Sequence, residues 1–348
     1  MEVAFSYCRY RLRFRHPFGT AHGLRVGTDS VFIRANTGGK AGYGEATLPP
    51  YLPETQDSVI QRIARFVEQG PMSAKAALER LSNGVDPWAD APAARAALHM
   101  ALYDLCKKSH STGIHAFRSF HLNHPTTLKT VGSGELDELE GKLADTHGAA
   151  AIKVKLGAPN DELAINRIKE LDNRLLFLDA NQGLRSVEEA LQRIQWAGED
   201  RVLGMEQPFP KDRPDLHADL KARTRVPVYA DESVQGLGDL ERTAEAFSGV
   251  NVKLMKCGGL DRALELVEAA RSRGMKVMLG SMSESSLGCT AMAGLADRAD
   301  VVDLDGPWLL ANDPFKGLDI QEGRLMVPAG PGLGAVPIAP LHWTPFVA

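Results

Sequence analysis

From residue 1 to about residue 47, apolar and polar side chains alternate, interrupted by turn-formers such as Asn36-Thr37-Gly38-Gly39. Successive strand residues face opposite sides of a sheet, so this pattern predicts a small antiparallel sheet with one buried face. Over residues 53–108 the period lengthens. In the alanine-rich run 91–106 apolar residues recur three and four apart, which is the spacing of a helix face. Together these stretches predict an α+β capping domain over residues 1–120.

Beyond it, short apolar or β-branched runs alternate with amphipathic helical stretches. The runs are LKTVGS, AIKVKLG, LLFLDANQ, VLGMEQP, PVYADES, VNVKLMK, KVMLGS and VVDLDGP, and connecting segments such as 186–196 keep a helical period. Strict alternation of strand and helix predicts a parallel sheet. Eight strands are most simply closed into a (β/α) barrel over residues 121–316. No full helix is legible after Asp305, so the expected form is a modified TIM barrel of (β/α)7β type. Residues 317–348 carry short strand-like pieces and a Pro/Gly-rich tail, expected to pack back on the capping domain.

Composition narrows the function classes. Of 348 residues, 44% are hydrophobic and 24% charged, ample for a large core, and the net charge is −4. That balance offers no field for nucleic acid or for a membrane surface. No apolar run reads as a leader or a spanning helix. Cys8, Cys106, Cys257 and Cys289 are scattered without a CxxC pair, the pattern of reduced thiols in a cytoplasmic protein.

The chemistry sits at the strand ends. Lys155, Asp179, Glu206, Asp231, Lys253 and Asp303 are separated by 24, 27, 25, 22 and 50 residues, one strand–helix unit each and two for the last. All lie at or near the C-terminal end of a predicted strand, where barrels of this kind assemble their active sites. Alternation puts Lys153 and Lys155 on the face opposite Ile152, Val154 and Leu156, and Asp303 with Asp305 opposite Val302 and Leu304. The apolar faces must meet the outer helices, so the charged faces point into the barrel. By the same parity Lys253 points inward, and Lys256 falls on the other side or in the following loop. Asp179, Glu206 and Asp231 supply hard oxygen donors suited to Mg2+ and poorly suited to zinc. Lysines on strands across the barrel can face the two sides of a bound molecule, and Lys153 beside Lys155 could lower a lysine pKa.

IKVKLG, LDANQG, EQPF, ADES, KLMKCGG and VDLDGP resemble the muconate-lactonising-enzyme branch of the enolase superfamily, and the likeness spans nearly the whole chain. That superfamily pairs a Lys or His base with Mg2+, which stabilises an ene-diolate. The resemblance implies that Asp179, Glu206 and Asp231 hold Mg2+ and that Lys155 and Lys253 form the acid/base pair. Lys153 would assist Lys155 and the substrate carboxylate. Asp303-Leu304-Asp305 resembles the DxD signature of dipeptide epimerases, in which two carboxylates hold the free ammonium of a dipeptide. The implied activity is 1,1-proton transfer at the α-carbon of the C-terminal residue. Thr130 and Ser281 in the barrel, with Phe18, Gly23 and Arg25 in the capping domain, complete the substrate-binding candidates. Epimerases of this type that act on Ala-Glu carry an arginine just after a Pro-Phe-x-Thr-Ala stretch, and here Gly23 stands in its place. The expectation is therefore that Ala-Glu is a poorer substrate than dipeptides with neutral C-terminal side chains, unless Arg25 takes over.

Within the branch, the alternatives are o-succinylbenzoate synthase with N-acylamino-acid racemase, or a cycloisomerase. From other classes, a Schiff-base aldolase explains the lysines and leaves three spaced carboxylates unexplained. A non-catalytic barrel should have lost part of the constellation. His110, His115, His121 and His124 match no metal-ligand spacing and are expected to be structural or solvated. A homo-oligomer is compatible with the sequence.

Overall fold

The alternating segment at the start folds into strands β1 (Ala4–Thr20), β2 (Gly23–Thr37) and β3 (Lys40–Leu48), an antiparallel sheet with β2 between its neighbours. A computed structural model of the chain describes residues 1–20, 23–83, 88–111, 125–132 and 136–347. The expected boundary at 120/121, and His115, His121 and His124, lie outside the described residues. The inner face of the sheet (Leu12, Val31, Ile33, Ala35, Ala46) is buried. Against it packs the helix Pro92–Lys108, whose Ala93 and Ala94 amides donate to the buried Glu54 carboxylate at 2.8 and 2.9 Å. An acceptor at that point satisfies otherwise orphaned N–H groups and meets the positive end of the helix dipole.

The eight expected barrel strands are all present: β4 (Thr126–Val131), β5 (Ala151–Lys155), β6 (Leu175–Asp179), β7 (Val202–Glu206), β8 (Val228–Ala230), β9 (Gly249–Lys253), β10 (Lys276–Gly280) and β11 (Val301–Asp303). They pair in parallel and in sequence, and β11 closes on β4 through Val301↔Thr126. Only a short helix, Gly306–Leu309, follows β11, in keeping with the (β/α)7β form. Inside, Leu128, Ala151, Phe177, Tyr229, Met278 and Val301 make an apolar plug, separate from the core shared by strands and helices. Gly249 makes room for it, since a Cβ there would stand 2.6 Å from the Tyr229 ring.

The chain then forms β12 (Phe315–Lys316), a hairpin of β13 (Asp319–Gln321) and β14 (Arg324–Met326), β15 (Val336–Pro337) and β16 (Thr344–Pro345). β16 joins the first sheet beside β1, with Ser6 opposite Pro345. The β13–β14 hairpin departs from the expectation that residues 317–348 as a whole return to the capping sheet. It packs on the barrel, where Gly323 N donates to Gly148 O at 2.7 Å and Thr127 Oγ1 donates to Gly323 O at 3.0 Å. The backbone ends of the barrel need hydrogen-bond partners, and this hairpin supplies them.

A buried charge cluster ties the first sheet's helix to the barrel. Arg95 is 1% exposed and donates to both oxygens of Asp261 at 2.9 and 2.7 Å, and to Gly258 O at 2.6 Å. Ser82 Oγ donates to Asp261 Oδ2 at 3.0 Å, and His99 Nε2 is 3.4 Å from Oδ1. Burial holds the His99 pKa down to about 4, so near neutrality the arginine carries the positive charge. Removing one member of a buried pair strands the other. Arg95→Ala should therefore lower the unfolding free energy by about 3 kcal/mol, read from denaturant midpoints, and a loss below the measurement error would show the pair to be dispensable.

Candidate active site

The strand ends collect charge because strand parity leaves no other face for it. Ala151, Lys153 and Lys155 share the inner face of β5, and Ile152 and Val154 belong to the outer core. β5 pairs with β6 so that Lys155 lies opposite Asp179, and β6 pairs with β7 so that Asp179 lies opposite Glu206. Lys153, 1% exposed, places Nζ 2.9 Å from Asp179 Oδ2, 2.7 Å from Glu206 Oε2 and 2.7 Å from Asp303 Oδ2. Lys155 donates to Asp179 Oδ2 at 2.6 Å and to Asn181 Oδ1 at 2.9 Å. Across the barrel Lys253 donates to Asp231 Oδ2 at 2.8 Å.

Lys256 does not turn away as the strand parity predicts. The strand stops at Lys253 and a short helix, Leu254–Cys257, begins. One helical turn brings position i+3 back toward the mouth, and Lys256 Nζ donates to Asp231 Oδ1 and O, both at 2.7 Å, and to Asn251 O at 3.0 Å. Parity arguments hold only while the chain stays extended. The Gly258-Gly259 pair after Lys253 was the available sign that the strand ends early.

Above this layer opens a cavity of about 460 Å3, a size suited to a small substrate. Its barrel wall includes Thr130, Lys155, Asp231, Lys253, Ser281, Asp303 and Asp305. Asp179 and Glu206, both fully buried, lie beneath. Thr130 N donates to Asp305 Oδ2 at 2.6 Å. Asp303 Oδ1 is buried with no hydrogen-bond partner among the described residues. From the first domain come Arg25, Tyr51, Leu52 and Pro53. The Arg25 guanidinium stands 5.6 Å from the ring centroids of both Phe14 and Tyr51, and among the described residues its buried Nη1 has no hydrogen-bond partner. Gly23 is exposed, and a Cβ on it would meet nothing within 4 Å. Phe18 lies in β1 opposite Arg25. Sequence reading missed Glu232, Asn181 and Tyr51, which also line the cavity and follow strand ends or sit in loops without periodic signal.

The electrostatics are those of an over-acidic site. Burial works against the ammonium of Lys253, yet Asp231 and then Glu206 outweigh it and raise the pKa. Lys153 is likewise held well above its ordinary value by Asp179, Asp303 and Glu206. Carboxylates, and not the neighbouring cations, set these two lysines. Lys256 is lowered, chiefly by burial. Lysine charges keep Asp179 and Asp231 low despite their burial. Glu206 is pushed up to about 6 by burial and Asp179, Asp305 to about 6 by burial and Asp303, and Glu232 to about 8 by burial and Asp231.

The donor set suits a hard divalent cation. Asp179, Glu206 and Asp231 come from adjacent strand ends, and Glu206 Oε2 is ion-paired with Lys153 and has no hydrogen bond among the described residues. The raised carboxyl groups are those that an added positive charge would relieve. Among the described residues no three such groups converge on one point as placed, because lysine ammonium groups stand between them.

Two family models cover the chain: the mandelate racemase/muconate lactonizing enzyme N-terminal domain over residues 6–117, and the enolase C-terminal domain-like model over residues 136–339. An L-Ala-D/L-Glu epimerase of Bacteroides thetaiotaomicron is 36% identical, over 97% of this chain and 88% of its own length. A hydrophobic dipeptide epimerase of Roseobacter litoralis is 31% identical, over 95% and 98%. The dipeptide epimerase of Methylococcus capsulatus, solved with Mg and L-Arg-D-Lys, superposes with a TM-score of 0.84 at 28% identity, covering 97% of this chain and 100% of that one. Matching models over both parts of the chain, and full-length relatives with the same architecture, show that the chain belongs to the mandelate racemase/muconate lactonizing enzyme family of the enolase superfamily.

Proposed function

We propose that this protein is a Mg2+-dependent dipeptide epimerase that inverts the α-carbon of the C-terminal residue. The observation that carries the reading is the placement of Lys155 and Lys253 on β5 and β9, four strands apart in a closed ring of eight, so that they flank one cavity from opposite sides. A racemising reaction needs one group on each face of a carbon, one taking the proton and the other returning it. In this reading Lys155 and Lys253 are the acid/base pair, and Lys153 holds the substrate carboxylate end.

Asp179, Glu206 and Asp231 are the residues that would hold Mg2+. When bound, the ion would stabilise the negative charge that develops on the substrate carboxylate as the α-proton leaves. Asp303 and Asp305 face the dipeptide's ammonium. Asp303 Oδ1 is already desolvated and without a hydrogen bond, so a cationic group entering there satisfies it. N-acylamino-acid racemases and o-succinylbenzoate synthases have no such ammonium to offer. Thr130 fixes Asp305 through its amide, and Ser281 lines the wall beside them. The capping region 1–120 would supply the side-chain pocket and the barrel region 121–316 the chemistry.

Arg25 changes the expected specificity. Arg25 lines the cavity and its Nη1 is buried with no hydrogen-bond partner among the described residues, so an acidic side chain that meets it would not be desolvated alone. We therefore favour acidic C-terminal residues, with Arg25 in the role that Gly23 cannot fill. The Bacteroides thetaiotaomicron relative, named for L-Ala-D/L-Glu, supports this choice.

Three outcomes follow. Dialysis against EDTA should abolish epimerisation, and Mg2+ should restore it; full turnover without metal would sink the mechanism. Lys253→Ala should abolish epimerisation of an Ala-Glu substrate in D2O while leaving α-deuterium exchange detectable from one diastereomer only, whereas wild-type epimerisation by that variant would shift the role to Lys256. A charged hydrogen bond is worth about 1.5–3 kcal/mol, so Arg25→Ala should lower kcat/KM for Ala-Glu roughly ten- to a hundredfold. Ala-Leu turnover should change little, and equal losses on both substrates would remove Arg25 from specificity.

A further inference from the structure

One buried residue outside the catalytic set is hydrogen-bonded, through its backbone or its side chain, to the chain just past Asp179 and on both sides of Asp231. Gln207 follows Glu206, is fully buried, and adopts φ +35°, a left-handed conformation that costs a non-glycine residue energy. Its amide N donates to Tyr229 O at 2.9 Å, on β8. Its carbonyl accepts from Gln182 N at 2.8 Å, in the loop after Asp179. Its side-chain Oε1 accepts from Asp231 N at 3.0 Å and Ser233 N at 3.1 Å. Nε2 donates to Ser233 Oγ at 2.8 Å and Phe209 O at 3.1 Å, and lies 3.3 Å from His217 Nε2.

His217 fixes which way that amide points. Its Nδ1 is 2.9 Å from Arg213 O, an acceptor only, so the ring proton sits on Nδ1 and Nε2 is left to accept. Phe209 N, 3.3 Å away, is a second donor to that nitrogen. Burial lowers the ring to about pKa 4 and keeps it neutral. With Nε2 of His217 an acceptor, the Gln207 NH2 group must face it, and the Gln207 oxygen must face the Asp231 and Ser233 amides.

We propose that Gln207, oriented by His217, is a positioning residue whose side chain holds the Asp231 backbone against Glu206 and so sets the carboxylate geometry for divalent-cation binding. The inference rests on the metal reading given above. The alternative is that Gln207 merely satisfies buried backbone groups, in which case its loss costs stability and leaves the carboxylates where they are.

The test is titration of Mg2+ alone by calorimetry into the full-length wild type, Gln207→Leu and His217→Phe, well below their unfolding temperatures. Leucine keeps the bulk and removes both the acceptor and the donor. Partners of this kind typically contribute ten- to a hundredfold in metal affinity, so Gln207→Leu should raise the Mg2+ Kd by about that factor. Its activity should recover as Mg2+ is raised. His217→Phe should shift Kd in the same direction by less, and it carries the comparison if Gln207→Leu does not fold. A folded Gln207→Leu with wild-type Kd overturns the inference even if its Tm has dropped. So does wild-type Kd in His217→Phe where that variant alone folds. Wild-type protein that binds no Mg2+ overturns the metal reading and this inference together.

Discussion

Carrying a carboxylate out of water into a barrel costs several kcal/mol unless an opposite charge and hydrogen bonds go with it. Here Asp179, Glu206, Asp231, Glu232, Asp303 and Asp305 are gathered at one end of the barrel, with Lys153, Lys155, Lys253 and Lys256 among them. Around the strand ends six carboxylates face four lysines, with Arg25 and Lys211 also lining the cavity, and burial together with the neighbouring carboxylates raises the pKa values of Glu206, Glu232 and Asp305. A site neutral within itself would be a salt-bridge core with little affinity for a further cation. One with excess negative charge, held by strands that cannot separate, keeps an attraction for a divalent ion and for an ammonium group.

The plug beneath sharpens every interaction in that layer. Phe177 and Tyr229 pack at 5.3 Å between ring centroids inside the barrel, and an apolar floor in place of water strengthens both the attractions and the repulsions above it. The first sheet completes the enclosure from above with Arg25 and the Tyr51–Pro53 turn. A clamp supports it there: Glu45 on β3 accepts from Ser285 N, Ser285 Oγ and Gly288 N at 2.9, 2.6 and 3.0 Å. The loop it pins carries Ser281 and Met282 into the cavity. Both walls of the pocket are thus fixed to each other through one buried carboxylate.

The barrel was legible because its strands follow parity, with the site's charged residues where the inner face reaches the open end; Lys129 on the outer face of β4 and Lys276 at the start of β10 are charges outside that pattern. Lys153, Asp179 and Asp303 all stand where alternation puts them. Parity failed at Lys256, where a helical turn replaced extended chain after Lys253, and it could not reach residues such as Glu232, Asn181 and Tyr51, which lie beyond strand ends. The hairpin at residues 319–326 is indistinguishable in sequence from the rest of the returning tail, because its short strands look the same whether they meet the sheet or the barrel. The choice is made by backbone partners such as Gly148 O, which leave no mark in composition. Gln207 was visible only as one letter of a motif. Its importance lies in backbone groups on strands far apart in sequence.

The side-chain pocket shows how far a register argument reaches. Toward Thr20 and Gly23, β1 and β2 pair as Thr20↔Gly23, Gly19↔Leu24 and Phe18↔Arg25. Residues two apart on a strand share a face, so Gly23 and Arg25 project to the same side of this ribbon, about 7 Å apart along it. An arginine moved by two positions keeps its direction and shifts only its origin, and a side chain of that length can absorb the shift. A move by one would have turned it to the opposite face and lost it. The Phe14 and Tyr51 rings, each 5.6 Å from the guanidinium, stack on it without consuming its hydrogen bonds. On the proposed reading, Nη1 is left to donate to an acidic side chain, and a pocket of this kind would keep a charge preference although its sequence marker stands two positions away.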